Sequence, residues 1–113
     1  MLIYHNPRCG KSRTALQFLK DKGMSPEIRL YLSDSPDEAE LRLLLKKLGI
    51  PAEDLVRKNE DIYKNEFKGK FHTEDEWIRI LAANPILIQR PVIITDKRAV
   101  IARSQQDLEN LFS

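Results

Sequence analysis

The segment HNPRCGKSR, residues 5–13, contains the only cysteine of the chain. MLIY before it reads as a strand and TALQFLK after it as a helix, so Cys9 falls where a strand hands over to a helix N-terminus. Such a terminus leaves several backbone N–H groups without partners and carries a partial positive charge. A thiol placed there has its anion stabilised, with a pKa that falls from about 8.5 towards 3.5–7.5. The same N–H groups of Gly10, Lys11 and Ser12 suit an anion-binding loop. Local charge agrees: Arg8, Lys11, Arg13 and Lys20 precede the first carboxylate, Asp21. The competing reading is a small buried hydrophobe, a common fate of free cysteine. The polar and flexible neighbours Arg8, Gly10, Lys11 and Ser12 favour a reactive site over a core position.

Spacing narrows the chemistry. A dithiol redox motif needs a second cysteine at i+3, where Ser12 stands. A phosphatase-type loop needs arginine six residues on, where Ala15 stands. What remains is a single-thiol nucleophile that relies on an external thiol for turnover. Neither an internal disulfide nor a multi-cysteine zinc site is available to one cysteine. His5 and His72 have no partner at metal-ligand spacing, so no metal is expected.

The elements that must position this thiol follow from the rest of the pattern. The chain has 113 residues, 42% hydrophobic and 32% charged, which fits one soluble globular domain (1–113). Its 19 basic and 17 acidic residues give a net charge of +2, too even to imply a nucleic-acid partner. No apolar run approaches the roughly 20 residues that span a bilayer. The start lacks a signal-peptide pattern. A cytoplasmic protein with a reduced thiol is expected, and the absence of heptads gives no sign of a dimer, so a monomer.

Residues 2–5 form a strand cut off by Asn6-Pro7, and Ser12–Lys22 form a helix closed by Gly23. EIRLYL, 27–32, alternates Ile28, Leu30 and Leu32 against Arg29 and Tyr31, a strand pattern. Ser35-Pro36-Asp37-Glu38 reads as a capping box with proline at N1, followed by Leu41, Leu44, Leu45 and Leu48 at helical spacing and a stop at Gly49. Short helices and turns occupy 53–70. Thr73–Glu76 forms a second capping box, for a helix whose apolar face is Trp77, Ile80 and Leu81. PVIIT, 91–95, and AVIA, 99–102, make a hairpin about Asp96-Lys97-Arg98, and Ser104 caps a last helix. The order is β-α-β, a helical block at about 36–84, then β-β-α. That predicts an α/β thioredoxin-like fold with a helical insertion and a mixed sheet.

HNPRC with its following K-S-R, EIRLYL, LVRKNE (55–60), NPILIQRPVII (84–94) and the R-S opening the last helix together resemble the ArsC family. These are glutaredoxin-linked arsenate reductases, oxidoreductases of arsenic detoxification, and their relatives. The resemblance covers essentially the whole chain and implies a thioredoxin-like fold with a helical insertion. It makes Cys9 the nucleophile that attacks arsenic and His5 the histidine that tunes it. It makes Arg57, Arg90 and Arg103 the oxyanion-binding arginines and Pro91 a cis-proline. Arginine suits this work, since its planar charged fork matches tetrahedral oxyanions. Glutathione is then the co-substrate, forming a Cys–S–As–S adduct, and glutaredoxin supplies the reducing equivalents that release arsenite. No bound cofactor, nucleic acid or membrane is implied. Read from sequence alone, Arg57 also fits a surface charge and Arg103 a helix flank. The family also contains Spx-type regulators that bind RNA polymerase, and glutathione-dependent reduction of another substrate is a further alternative.

Overall fold

In the computed structural model, which describes residues 1–112, the chain divides into two compact units, Met1–Asp34 with Arg90 onwards, and Ser35–Gln89. The first unit is built on a four-stranded sheet. β1 (Leu2–Tyr4) pairs in parallel with β2 (Glu27–Arg29) and antiparallel with β3 (Val92–Ile94). β3 pairs antiparallel with β4 (Ala99–Ile101), giving the order β2-β1-β3-β4. This mixed sheet with its helices is the thioredoxin-like α/β arrangement that the element order predicts. α1 (Gly10–Asp21) connects the parallel pair and α4 (Gln105–Asn110) follows the hairpin. Ile3 and Ile93 are in register, and both are fully buried with Ala15 and Leu19 of α1 and with Ala102, Leu108 and Leu111. The period of two in each strand thus supplies one core face, and the period of 3.6 in α1 supplies its cover.

Two expectations for this unit change. α1 begins at Gly10 rather than Ser12, because Cys9 occupies the N-cap position in an extended conformation. At its other end Gly23 takes φ 78 and donates to Lys20 O, while Met24 N–H bonds to Leu19 O. That is the left-handed stop glycine permits. β2 is shorter than 27–32: the chain turns at Leu30, whose carbonyl accepts from Ser33 and Asp34 N–H. The alternation does not deliver the core either. Ile28, Leu30 and Leu32 are 43–46% exposed, and Tyr31 is fully buried. β2 is an edge strand, and the turn carries the Tyr31 ring into a stack on Tyr4, with centroids 6.0 Å apart. An aromatic stack of this kind adds about 0.5–1.5 kcal/mol to the burial of the rings.

The second unit is helical. α2 (Glu38–Leu48) starts at Asp37, whose carboxylate accepts from Glu40 N–H at 2.8 Å. The cap is therefore Asp37 rather than Ser35, and Pro36 lies before the helix, not at its first position. Leu41, Leu44 and Leu45 are buried and Gly49, at φ 69, closes the helix. A 3-10 turn at Ala52–Leu55 and a π-helical turn at Tyr63–Phe67 precede α3 (Glu74–Ala83). Thr73 and Glu76 form the reciprocal capping box expected there. Trp77, Ile78 and Leu81 are buried; Ile78 takes the place expected for Ile80, since it too lies within the arc of Trp77 and Leu81. After Asn84 and a 3-10 turn at Pro85–Leu87, a single antiparallel bridge joins Val56 to Ile88. Among the described residues no helix is long and apolar enough to cross a membrane.

Candidate active site

The Cys9 loop is closed by its own polar groups. Cys9 N–H donates to Asn6 O at 3.0 Å, and Asn6 Oδ1 accepts from Arg8 N–H at 3.0 Å. Arg13 reaches back from α1 and donates to Pro7 O at 2.9 Å. The fully buried Ser12 hydroxyl accepts from Asn6 N–H at 3.0 Å and lies 2.6 Å from His5 Nδ1. Since Ser12 Oγ already accepts from Asn6, giving its proton to Nδ1 satisfies both groups and leaves the ring N–H on Nε2. His5 itself is 7% exposed, and its backbone N–H bonds to Arg29 O at 2.9 Å, continuing the β1–β2 pairing by one residue. Burial, and then the charges of Lys20 and Arg13, hold its pKa below the ordinary histidine value, so the neutral ring is favoured.

Cys9 is half-buried and in no disulfide. Burial pushes its thiol up, but this is outweighed by three groups that favour the anion, and the net pKa is lowered. These are the Ser12 backbone N–H, the Arg90 side chain, which both hydrogen-bonds the sulfur and attracts its charge, and the Lys11 backbone N–H. As a neutral thiol Cys9 makes no side-chain cap hydrogen bond, so the open helix terminus serves the thiolate. Arg90 arrives from the far end of the chain, at the cis Arg90–Pro91 peptide that leads into β3, and Pro91 is buried.

The remaining sequence-derived residues take different positions. Arg103 is exposed; its backbone N–H is held by Ile101 O and Asp107, and it lines a cleft together with Gly10 and Lys11. Arg57 belongs to the helical unit. Its N–H donates to Leu87 O at 2.7 Å, and its Nε lies 3.2 Å from Glu60 Oε1. Ser12 has a role the sequence did not assign. It stood out there as the absence of a second cysteine and for its backbone N–H; in the fold its side chain is the buried link between His5 and the loop. The signal was a polar pair seven residues apart, a separation that matters only after the loop has folded back. Among the described residues no cluster of histidine, cysteine and carboxylate side chains is placed to hold a metal ion.

With this geometry in view, comparison with known proteins is decisive at the level of the family. A family model described as ArsC family matches residues 4–111. The chain belongs to the ArsC family. It is similar to "Uncharacterized protein YfgD" of Escherichia coli K12, at 42% identity over 94% of this chain and 91% of that one. A protein named arsenate reductase from Neisseria meningitidis is 35% identical over 95% of this chain and 93% of its own length. Among solved structures, the arsenate reductase from Vibrio cholerae superposes with a TM-score of 0.87 at 33% identity. That match covers 98% of this chain and 93% of the other. This ArsC chain therefore carries its lone cysteine at the open end of α1, with an arginine on the sulfur.

Proposed function

We propose that this ArsC protein is a cytoplasmic arsenate reductase that uses Cys9 as nucleophile and glutathione with glutaredoxin as reductant. The observation that carries the reading is the convergence of Arg90 and the Ser12 and Lys11 N–H groups on one sulfur. The names of its relatives supply the substrate. The Cys9 thiolate attacks arsenic(V), a protonated arsenate oxygen leaves as water, and a Cys–S–As bond forms. Arg90 is the cation placed to stabilise negative charge that builds on the arsenate oxygens in this step. Arg57 is proposed as a second oxyanion ligand. His5, neutral and tied to Ser12, orients the loop rather than carrying charge.

Glutathione then adds to the same arsenic with loss of a second water. A glutaredoxin thiol attacks the glutathione sulfur, forming a mixed disulfide, and the electron pair of the broken S–As bond stays on arsenic. Arsenic is reduced from V to III while the two sulfurs are oxidised. Hydrolysis of the Cys9–As(III) bond releases arsenite and restores the thiol. The test is a coupled assay with arsenate, glutathione, glutaredoxin, glutathione reductase and NADPH. Arsenate-dependent NADPH loss that disappears in Cys9→Ser is expected. Absence of that loss, or equal loss by Cys9→Ser, contradicts the reading.

A further inference from the structure

β2 is an edge of the sheet, and its hydrogen bonds to β1 fix the direction of each of its peptides. Glu27 N–H donates to Met1 O at 2.9 Å, and His5 N–H donates to Arg29 O at 2.9 Å. In a trans peptide the N–H and the C=O point in opposite directions. Pro26 C=O shares a peptide with Glu27 N–H, so it points away from β1. Leu30 N–H shares one with Arg29 C=O, so it points away as well. Alternation along the strand puts both Ile28 N–H and Ile28 C=O on this same outer side. None of these outward groups has a hydrogen-bond partner among the described residues, and the side chains of Ile28 and Leu30 are exposed. The row ends cleanly at both limits. Proline has no N–H to offer, and Leu30 C=O is already taken by Ser33 and Asp34 N–H.

That row is its own complement. In a second copy running antiparallel about a two-fold axis at Ile28, the two Ile28 residues exchange N–H···O bonds. Leu30 N–H of each copy then meets Pro26 C=O of the other. Every outward group finds a partner and none is left over, as a two-fold interface requires. The side chains choose the same register. An axis at Ile28 sets Glu27 of each copy opposite Arg29 of the other, whereas an axis one residue to either side opposes like charges. Ile28 is in register with Ile3, whose side chain lies in the core beneath α1, so the two Ile28 side chains meet on that face. We infer that the β2 edge is the interface of a homodimer in which two sheets join, through Ile28, into one. This departs from the monomer expected from the sequence. Missing heptads bear on coiled coils and not on strand edges. One short strand per copy makes a small interface of the transient kind, with a dissociation constant on the order of 100 µM.

Sedimentation velocity of the full-length protein, from micromolar to about 1 mM, tests this. A reversible shift from monomer to dimer is expected, with concentration-dependent amide shifts at Ile28 and Leu30. In a mixture of labelled and unlabelled protein, an intermolecular NOE between Glu27 Hα and Arg29 Hα marks the register, because that pair is the close, non-hydrogen-bonded one. Ile28→Pro removes the outward N–H and leaves the bonds to β1 in place, as an edge position permits. It is expected to weaken association by about tenfold or more. Glu27→Lys, at an exposed position, sets like charges opposite each other; a loss of about threefold or more is expected, relieved by added salt. Amide spectra away from β2 report that each variant keeps the fold, and Glu27→Lys decides if Ile28→Pro does not. A protein that stays monomeric to 1 mM overturns the inference. So does a dimer that neither variant weakens, or one that lacks the Glu27–Arg29 contact. A different chain adding to this edge, while the protein alone remains a monomer, overturns it too.

Discussion

Among the described residues four α-helices begin, and three of them are closed by an oxygen. Asp37, Thr73 and Ser104 each accept a backbone N–H of the first turn. α1 is the exception: Cys9 sits in the cap position with no side-chain cap hydrogen bond, and the Lys11 and Ser12 N–H groups favour its anion instead. An oxygen cap is a stability device, worth about 1 kcal/mol. A sulfur in the same place gives up much of that while neutral and regains it on losing a proton. The difference teaches that the open terminus is reserved for charge, which a nucleophile needs and a structural cap does not.

Several experiments strain that contrast. The largest effect belongs to Cys9→Ser, which retains the loop and removes the nucleophile; arsenate-dependent NADPH oxidation is expected to fall to background. Arg90→Ala comes next. It is expected to lower kcat by about 10²-fold, as loss of one preorganised charge-stabilising group does, and to raise the pKa of Cys9 measured by alkylation. Ser12→Ala cuts the buried link to His5 and Asn6. A loss of about 1–3 kcal/mol in urea unfolding is expected, because buried partners are left unsatisfied. Thr73→Ala is the control on the other kind of cap, with about 1 kcal/mol lost and no change in Cys9 alkylation.

The smallest effect is a pH dependence. His5 is held below its ordinary pKa, first by burial and then by Lys20 and Arg13. Folding thus favours the neutral ring, and the unfolded chain binds the proton more readily. This contribution is complete above the unfolded value of about 6.5 and is lost as pH falls through the lower folded value. Unfolding midpoints should drop more steeply with acidification in the wild type than in His5→Asn. Equal slopes would remove His5 from the account.

Features governed by short-range chemistry were legible in the sequence. Thr73 with Glu76, the left-handed stops at Gly23 and Gly49, and the hairpin about Asp96–Arg98 each involve residues a few positions apart. The placement of Cys9 between strand and helix was legible for the same reason. Features decided by partners distant in the chain were not. Tyr31 is buried because Tyr4 offers a ring to stack on, which alternation within 27–32 does not encode. The Ser12 side chain bonds groups at positions 5 and 6 only after the loop folds back. Arg90 was singled out by the family resemblance, but its contact with Cys9 depends on the strand that follows it lying beside β1. Asp37 and Ser35 both had the chemistry of a cap, and which oxygen met the free N–H groups was settled by where the chain turned.

The most direct test of the central claim is the rate of Cys9 alkylation by iodoacetamide as a function of pH. With one cysteine in the chain the signal has a single source. The account predicts a midpoint clearly below the ordinary thiol value of about 8.5, moving upward in Arg90→Ala. A wild-type midpoint at or above that value, unmoved by Arg90→Ala, would contradict it.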